Sequence, residues 1–214
     1  MKNGGLIILD IDEVVVDIGP KWIKLAMQDS ILFNRIRNIS AIKSFAKGEE
    51  DLRKTVMGRD IYDLSKWLCL SDLAKEHFMD IYRKNGRFYS DLSLTKFAFN
   101  LLSNPKSRHI IFLSHILNGD VDESKSLFIR DKFKKCSFEM HFVDIKDKKS
   151  DKIKEHGWNY DLYVEDLPLN MLDVMKNTAK DNGNFCFPVL GYNASIPILC
   201  EEVIKEKKLN LTSY

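Results

Sequence analysis

Short apolar runs alternate with longer amphipathic segments along most of the chain. Four or five of these runs are apolar at nearly every position, as expected for strands: Leu6–Leu9, His109–Leu113, Phe138–Val143, Asp161–Val164 and Phe185–Val189. Four segments between and after them have helical spacing: Val121–Phe133, Ser150–His156, Leu169–Lys180 and Ile196–Lys207. Asp120 and Ser195 are the predicted N-caps of the first and last of these helices. Strands that are apolar on both faces are typical of a parallel sheet covered by helices, so the pattern predicts an α/β fold with a doubly wound parallel sheet.

One long interval, from about Gly19 to Phe88, departs from this alternation. It carries helical periodicity and no convincing strand, with apolar residues three and four apart in Trp22–Met27, Ile31–Ile36, Ile39–Phe45 and Ile61–Leu68. Ser90–Leu102 then resumes the crossover to the second strand. We therefore predict an α/β core domain formed by residues 1–18 and 89–214, with a small helical subdomain, residues 19–88, packed over one end of the sheet.

The first strand ends in two carboxylates separated by one residue, Asp10 and Asp12. In an extended chain, positions i and i+2 project to the same side, so both acids are expected to face a site beyond the carboxyl end of the strand. Adjacent acids repel each other, and a divalent cation between them removes the repulsion. The alternative is that the two acids only end the strand in a solvated turn.

Polar groups suited to phosphate and metal follow other strands. The second strand is followed by Ser114, whose hydroxyl can donate to a phosphate oxygen, and the fourth by Glu165 and Asp166. Pro168 suits the start of the next helix. Between these strands stand three lysines that could neutralise a developing negative charge: Lys148, Lys149 and Lys152.

In this order the residues resemble the haloacid dehalogenase-like (HAD) superfamily, over almost the whole chain. The four motifs of that superfamily are an Asp-x-Asp strand end, a Ser or Thr strand end, a Lys and a terminal acidic pair. The matching residues are Asp10 and Asp12, Ser114, Lys149, and Glu165 with Asp166.

The resemblance implies a role for each catalytic residue. Asp10 is expected to be the nucleophile that attacks phosphorus, and Asp12 the general acid and base. Ser114 and Lys149 are expected to bind the phosphoryl oxygens of the substrate. A carboxylate nucleophile divides one difficult displacement into two, and the second aspartate, which protonates a leaving alkoxide, favours a phosphatase over a dehalogenase.

The resemblance also implies Mg²⁺ as the cofactor. The expected ligands are the carboxylate of Asp10, the backbone carbonyl of Asp12, and Asp166 with Glu165 beside it. Phosphoryl transfer depends mainly on positioning and charge neutralisation, which magnesium and a lysine supply.

Three departures from the family pattern stand out. Glu13 replaces the usual glycine, which predicts a less open turn and an additional carboxylate near the site. Glu165 replaces the more common Asp or Gly, which could alter the metal geometry. The third-motif lysine is ambiguous, because Lys148 and Lys152 compete with the better-fitting Lys149.

The helical insertion resembles a type I cap, which closes over the site and selects the substrate. The Phe88-Tyr89-Ser-Asp-Leu-Ser-Leu segment is similar to the re-entry segment of 5'-deoxyribonucleotidases. Four aromatic residues of the insertion could stack on a nucleobase or form its core: Trp22, Phe33, Tyr62 and Trp67. Four arginines could meet substrate phosphate or only water: Arg35, Arg37, Arg53 and Arg59.

Composition narrows the possible partners and the location. The 214 residues carry 33 Lys and Arg against 31 Asp and Glu, a net charge of +2 with both signs interspersed. This balance argues against nucleic-acid binding through bulk positive charge. The apolar runs reach only strand length, which predicts no membrane span. The four cysteines, Cys69, Cys136, Cys186 and Cys200, have no metal-site spacing and are expected to be reduced thiols in a cytoplasmic protein.

The leading functional hypothesis is a magnesium-dependent phosphomonoesterase that acts on a small phosphorylated metabolite, with a nucleoside monophosphate as the preferred substrate class. The alternatives are a phosphatase for sugar phosphates or nucleic-acid 3'-ends, and a catalytically silent HAD-like binding scaffold. Neither a Walker loop nor a GxGxxG follows the first strand, which argues against a nucleotide-binding module.

Overall fold

The computed structural model describes residues 5–103 and 108–214. At its centre is a six-stranded sheet in which all neighbouring strands are parallel. The strands are β1 (Leu6–Leu9), β2 (His109–Ile116), β3 (Ser137–Asp144), β4 (Leu162–Val164), β5 (Asn184–Phe187) and β6 (Asn210–Ser213). The spatial order is β3-β2-β1-β4-β5-β6. The predicted α/β fold with a parallel sheet is confirmed.

Residues 19–88, called the helical region below, contain helices and no strand. The helices are α1 (Gly19–Gln28), α2 (Ser30–Phe33), α3 (Ile39–Lys47), α4 (Glu49–Met57), α5 (Leu64–Trp67) and α6 (Asp72–Arg83). Four of them begin at a side chain that accepts a backbone N–H, which satisfies a donor that the helix start leaves open: Asp29, Asn38, Asp63 and Ser71.

The helical region has a hydrophobic cluster of its own, which includes Ile23, Leu32, Leu52, Trp67 and Phe78. This cluster explains why the apolar positions of the region follow helical spacing, because each helix turns one face toward the others. The boundaries of the two predicted domains, at residues 18 and 89, stay a prediction.

Helices cover both faces of the sheet. They are α7 (Lys96–Ser103), α8 (Asp120–Lys132), α9 (Lys149–His156), α10 (Pro168–Thr178), α11 (Ile196–Leu199) and α12 (Glu201–Lys207). Ile7 and Leu9 of β1 pack in one cluster with α7 and α8, whereas Ile8 packs on the other face with α9, α10 and α12. Both faces of β1 are therefore buried, which accounts for its unbroken apolar run. Within residues 5–103 and 108–214, no helix is long and apolar enough to cross a membrane.

The strand order reverses next to β1. From β1 the chain proceeds outward to β2 and β3 on one side, and it then crosses to β4, β5 and β6 on the other side. In a doubly wound sheet, ligands bind beyond the carboxyl ends of the strands at such a reversal. The ends of β1 and β4, where Asp10 and the Glu165-Asp166 pair follow, are therefore the expected position of a binding site.

Several sequence predictions need correction. Strand β2 continues to Ile116, so Ser114 lies inside the strand rather than after it. Strand β6 was not predicted, because it is a short edge strand of mixed polarity that is largely exposed. Gly119, not Asp120, is the N-cap of α8, and its backbone N–H donates to the Asp122 side chain.

The predicted helix Ile196–Lys207 is two helices, α11 and α12, which meet at Cys200. Ser195 does occupy the N-cap position of α11, but its side chain makes no capping hydrogen bond. Pro168 stands at the start of α10, as predicted.

Candidate active site

The carboxyl ends of β1 and β4 bring the predicted acids together. Asp10 follows Leu9 directly, and its backbone N–H donates to the Val164 carbonyl oxygen at 2.9 Å, which ties the two strand ends to each other. Glu165 and Asp166 follow Val164. Asp10, Glu165 and Asp166 are all buried, and each offers a carboxylate oxygen within 4.8 Å of those of the other two.

Lys149 lies between two of these acids. It is the first residue of α9, its side chain is buried, and its Nζ lies 2.9 Å from Asp10 Oδ1 and 2.7 Å from Glu165 Oε2. Its two rivals pair with other acids: the exposed Lys148 has its Nζ 3.7 Å from Asp173 Oδ1, and the half-buried Lys152 pairs with Glu155. Of the three candidate lysines, the structure therefore brings only Lys149 to the acidic cluster.

The Lys149 charge decides the ionisation of Asp10. Burial acts to raise the pKa of the Asp10 carboxyl, but Lys149, with a smaller effect from Lys125, outweighs burial and holds this pKa below its usual value. In the same contact, burial opposes the Lys149 charge, and the two acids outweigh it and raise the Lys149 pKa. Asp10 is therefore a carboxylate and Lys149 an ammonium at neutral pH.

Glu165 has both oxygens engaged. Oε2 accepts from Lys149 and, at 2.9 Å, from the Tyr163 hydroxyl, and Oε1 accepts from the Leu167 backbone N–H at 3.2 Å. Burial raises the pKa of Glu165, although the Lys149 charge opposes the shift. Glu165 thus holds Lys149 in place, and little of its hydrogen-bonding capacity is left for a cation.

Asp166 differs because its side chain faces a hydroxyl and no described lysine or arginine. Oδ2 accepts from the Tyr192 hydroxyl, and Asn193 Nδ2 donates to the Asp166 backbone carbonyl at 3.2 Å. Burial raises the pKa of Asp166 well above its usual value, and the neighbouring Glu165 and Asp10 charges raise it further. Asp166 is therefore a buried acid whose ionisation calls for an additional positive charge.

The acidic cluster fits a divalent cation. Asp10 Oδ1 is buried and, although it is ion-paired to Lys149, it accepts no hydrogen bond from any described residue. Asp166 lacks a cationic neighbour, and hard divalent cations prefer carboxylate oxygens. Carboxylate oxygens such as those of Asp10 and Asp166 are the ligands that Mg²⁺ prefers.

Asp12 lies beside a second buried lysine. Lys125 Nζ donates to Asp12 Oδ2 at 2.8 Å and to Ser114 Oγ at 3.3 Å, and the Tyr89 hydroxyl donates to Asp12 Oδ1 at 2.6 Å. The structure thus joins Asp12 and Ser114 through Lys125, while Lys149 joins Asp10 and Glu165.

Glu13 occupies the strained position that the family pattern gives to glycine. Its φ is +61°, in the left-handed region that favours glycine, and its side chain is buried. Arg59, between α4 and α5, lies with NH2 3.4 Å from Glu13 Oε1 and with its guanidinium 4.9 Å from the centre of the Tyr192 ring. Burial raises the pKa of Glu13 to about 7, against the lowering effect of Arg59. The additional carboxylate therefore binds the helical region instead of facing open solvent.

The aromatic candidates of the helical region divide between core and surface. Trp67 belongs to the cluster of that region, and Trp22 packs edge-on against Phe78 and Tyr82. Tyr62 is 41% exposed, and its ring centre lies 5.3 Å from that of Tyr192. Of the four predicted stacking residues, Tyr62 therefore both is exposed and lies near the acidic cluster. Phe33 is also exposed, on α2.

The four candidate arginines also differ in their burial. Arg35 and Arg37 are exposed, and Arg53 is half-buried in an ion pair with Asp17. Only Arg59, among the four, is buried near the site.

The sequence predictions missed Lys125 and Tyr192, and they named Arg59 only as one of four arginines that could meet substrate phosphate or only water. For Lys125 a signal exists: it shares the buried face of α8 with Val121 and Phe128, four residues before and three after it. A lysine within an apolar stripe indicates a buried partner. Tyr192 and Arg59 are brought to the site by tertiary packing alone, so no local pattern marks them.

The fold is similar to that of HAD-like hydrolases. A haloacid dehalogenase-like family hydrolase, SP0104 from Streptococcus pneumoniae, superimposes with a TM-score of 0.57 at 13% identity, over 100% of this chain and 95% of that one. A predicted phosphatase from Clostridium acetobutylicum gives a TM-score of 0.51 at 13% identity, over 98% and 93% of the two chains. No protein-family model and no curated protein matches the sequence. At such identities the likeness establishes a HAD-like fold, and any activity has to be argued from the site.

Proposed function

We propose that this protein is a magnesium-dependent phosphomonoesterase that works through a phospho-aspartyl intermediate on a small phosphorylated metabolite. One observation carries the proposal: the ionised Asp10 at the end of β1 lies 2.9 Å from the buried Lys149 and within one cluster with Asp166. One edge of the sheet then holds a carboxylate nucleophile, a cation for the phosphoryl oxygens and an acidic cation site. The HAD-like hydrolases with the same fold are consistent with this chemistry.

In the first step, an Asp10 oxygen attacks phosphorus and the bond between phosphorus and the leaving oxygen breaks. Asp12 gives a proton to that oxygen. In the second step, water attacks phosphorus, the bond to Asp10 breaks, Asp12 takes the proton of the water, and inorganic phosphate leaves.

Lys149 and Ser114 bind the phosphoryl group. Lys149 Nζ donates to Glu165 Oε2 and lies 2.9 Å from Asp10 Oδ1, so at least one of its three N–H donors is left for a phosphoryl oxygen. Asp10, Asp166 and the Asp12 carbonyl would hold Mg²⁺, with Glu165 close by. An ion held by these residues would supply positive charge to the transferred phosphoryl group.

For the substrate we propose a nucleoside monophosphate. The 41% exposed ring of Tyr62, beside Tyr192 and the acidic cluster, offers a face on which a base can stack. A sugar phosphate or a nucleic-acid 3'-end is the second candidate, and the net charge of +2 gives a polynucleotide little electrostatic attraction. The proposed location remains the cytoplasm.

The test is phosphate release from nucleoside monophosphates, sugar phosphates and p-nitrophenyl phosphate, with Mg²⁺ or EDTA, for wild type, Asp10→Asn and Asp147→Asn. Asp147 is exposed, so its variant is the matched control for loss of one carboxylate. We expect Mg²⁺-dependent release that Asp10→Asn abolishes and Asp147→Asn preserves. No release from a folded protein on the whole panel would refute the phosphatase and favour the silent scaffold.

A further inference from the structure

Lys125 is a buried cation on the face of α8 that packs against the sheet, with 3% of its surface exposed. A buried ammonium is costly unless all its donors are paired. Lys125 Nζ has three acceptors: Asp12 Oδ2 at 2.8 Å, Ser114 Oγ at 3.3 Å and the His115 carbonyl oxygen at 3.3 Å. An ammonium has three N–H donors, so none is left for a substrate oxygen.

The other oxygen of Asp12 is held by Tyr89. The Tyr89 hydroxyl donates to Asp12 Oδ1 at 2.6 Å, and the Tyr89 backbone N–H donates to Ser124 Oγ at 3.0 Å, next to Lys125 in α8. Lys125 and Tyr89 are thus tied to the same helix, and each holds one oxygen of the Asp12 carboxylate. Two fixed donors set both the position and the plane of this side chain.

The contact with Ser114 has a directional consequence. An ammonium has no lone pair, so Lys125 must donate and Ser114 Oγ must accept. The Ser114 O–H is then free to donate elsewhere, as its proposed contact with a phosphoryl oxygen requires.

We propose that Lys125 is a positioning residue, which holds the Asp12 carboxyl toward the leaving-group oxygen of the substrate. This role presupposes the phosphatase reaction proposed above. Lys125 does not contact the substrate itself. It differs in this from Lys149, which has an N–H donor to spare.

A leaving-group comparison tests the role. If Lys125 acts through Asp12, its loss slows phosphate esters whose leaving alkoxide needs a proton and spares those whose leaving group does not. General acid catalysis contributes about 100- to 10,000-fold to such steps. We expect Lys125→Met to lower kcat/KM for an alkyl phosphate by about 100-fold or more, and for p-nitrophenyl phosphate by less than about threefold. The ratio kcat/KM is the right quantity because it reports the steps up to departure of the leaving group.

Three further variants sharpen the result. Lys132→Met removes an exposed lysine of the same helix and should leave both substrates unchanged. Tyr89→Phe removes one hydroxyl and little packing, so it should show a weaker form of the same selectivity even if Lys125→Met folds poorly. In an Asp12→Asn background, Lys125→Met should cause no further leaving-group-dependent loss, because the residue through which it acts is already disabled.

The outcomes separate this role from the phosphatase proposal. Equal losses on both substrates would overturn the positioning role and assign Lys125 to phosphoryl binding or to folding. A crystal structure of Lys125→Met with the Asp12 side chain unmoved would overturn it as well. If the wild type releases phosphate but neither Lys125→Met nor Tyr89→Phe shows selectivity, the positioning role alone fails. If the wild type shows no Asp10-dependent release, both proposals fail.

Discussion

The buried contact between Glu13 and Arg59 joins the turn after β1 to the helical region, and its energetic weight can be measured. Glu13 and Arg59 are 6% and 3% exposed, and their charged atoms are 3.4 Å apart. The contact is tightly enclosed, because a Cβ added to Gly19 would lie 2.9 Å from Arg59 NH1 and 3.1 Å from Glu13 Oε1. There is accordingly little space for water to replace a lost partner.

Each single replacement leaves one buried charge without its partner. At about pH 9, above the Glu13 pKa of about 7, Glu13 is a carboxylate, and Arg59→Met leaves it buried without its cation. Breaking a buried pair in this way costs about 3–5 kcal/mol. The cost is smaller at neutral pH, because Glu13 then takes up a proton instead. Glu13→Gly isolates Arg59 at a similar cost, but it relieves about 1–2 kcal/mol of left-handed backbone strain at φ +61°. We therefore expect Arg59→Met to lower the free energy of unfolding by about 4 kcal/mol and Glu13→Gly by about 2–3 kcal/mol.

The double variant, Glu13→Gly with Arg59→Met, contains neither charge and keeps the relaxed backbone. It should lie within about 1–2 kcal/mol of the wild type, the scale of the lost contact between Arg59 and the Tyr192 ring. The coupling energy between the two positions should then exceed about 3 kcal/mol.

The assay is urea unfolding in EDTA at about pH 9, where Glu13 is ionised, followed by circular dichroism for the four proteins of the cycle. Working in EDTA removes any contribution from a bound divalent cation. In a solvated surface pair, each single variant loses less than about 1 kcal/mol of unfolding free energy, and the two losses add without coupling. That result would refute the reasoning.

Three further predictions concern the site and the helical region. Lys149→Met should lower phosphate release by about 1,000-fold, the scale of losing one fixed charge-stabilising group, while Lys148→Met should leave the rate unchanged in the same assay. Asp166→Asn should raise the melting temperature in EDTA by about 2–4 °C per kcal/mol of relieved repulsion between carboxylates. It should also remove the rise in melting temperature that Mg²⁺ gives the wild type. Calorimetry with and without Mg²⁺ checks both results, and a Mg²⁺ effect that persists in the variant contradicts the metal role of Asp166. Asp63→Ala should cost about 1 kcal/mol at neutral pH through loss of the α5 N-cap. Burial acts to raise the pKa of Asp63, but hydrogen bonds from a lysine of α6 and from Ser65 outweigh burial and lower this pKa. The stabilisation by the Asp63 carboxylate is therefore complete above about pH 4, the pKa of Asp in the unfolded chain. It disappears as the pH falls through the lower pKa of Asp63 in the folded protein. Denaturant midpoints of wild type and variant that stay equally far apart at acidic pH would contradict the assignment.

Much of the fold could be predicted from local sequence patterns. A strand buried on both faces leaves an unbroken apolar run, as in Leu6–Leu9, and this run matches β1 residue for residue. Parallel strands share one carboxyl edge, so acids that follow β1 and β4 could be expected to meet. Weaker patterns failed: β6 is short and mostly exposed, and nothing local marks the break between α11 and α12.

The partners of the acids could not be predicted in the same way. Arg59 is 46 residues from Glu13, and Tyr192 is 26 residues from Asp166, so each contact depends on packing that no short pattern encodes. Lys125 is 113 residues from Asp12, so the apolar stripe of α8 marks it as buried but does not identify its partner. Positions of acids follow from strand ends, whereas the cations that balance them come from distant elements.

These cations divide the acids of the site into those with a cationic partner and one without. Lys149 pairs with Asp10 and Glu165, Lys125 pairs with Asp12, and Arg59 pairs with Glu13. Asp166 receives only the Tyr192 hydroxyl among the described residues, and burial with neighbouring charge raises its pKa. Five carboxyl groups at one edge of the sheet thus face three cations: Asp10 and Glu165 share Lys149, and Asp166, beside Asp10, has no cation among the described residues. A divalent cation bound there would supply positive charge at the point where, in the proposed reaction, a phosphoryl group approaches Asp10. The charge pattern of the chain itself thus favours a metal-dependent reaction, independently of any resemblance.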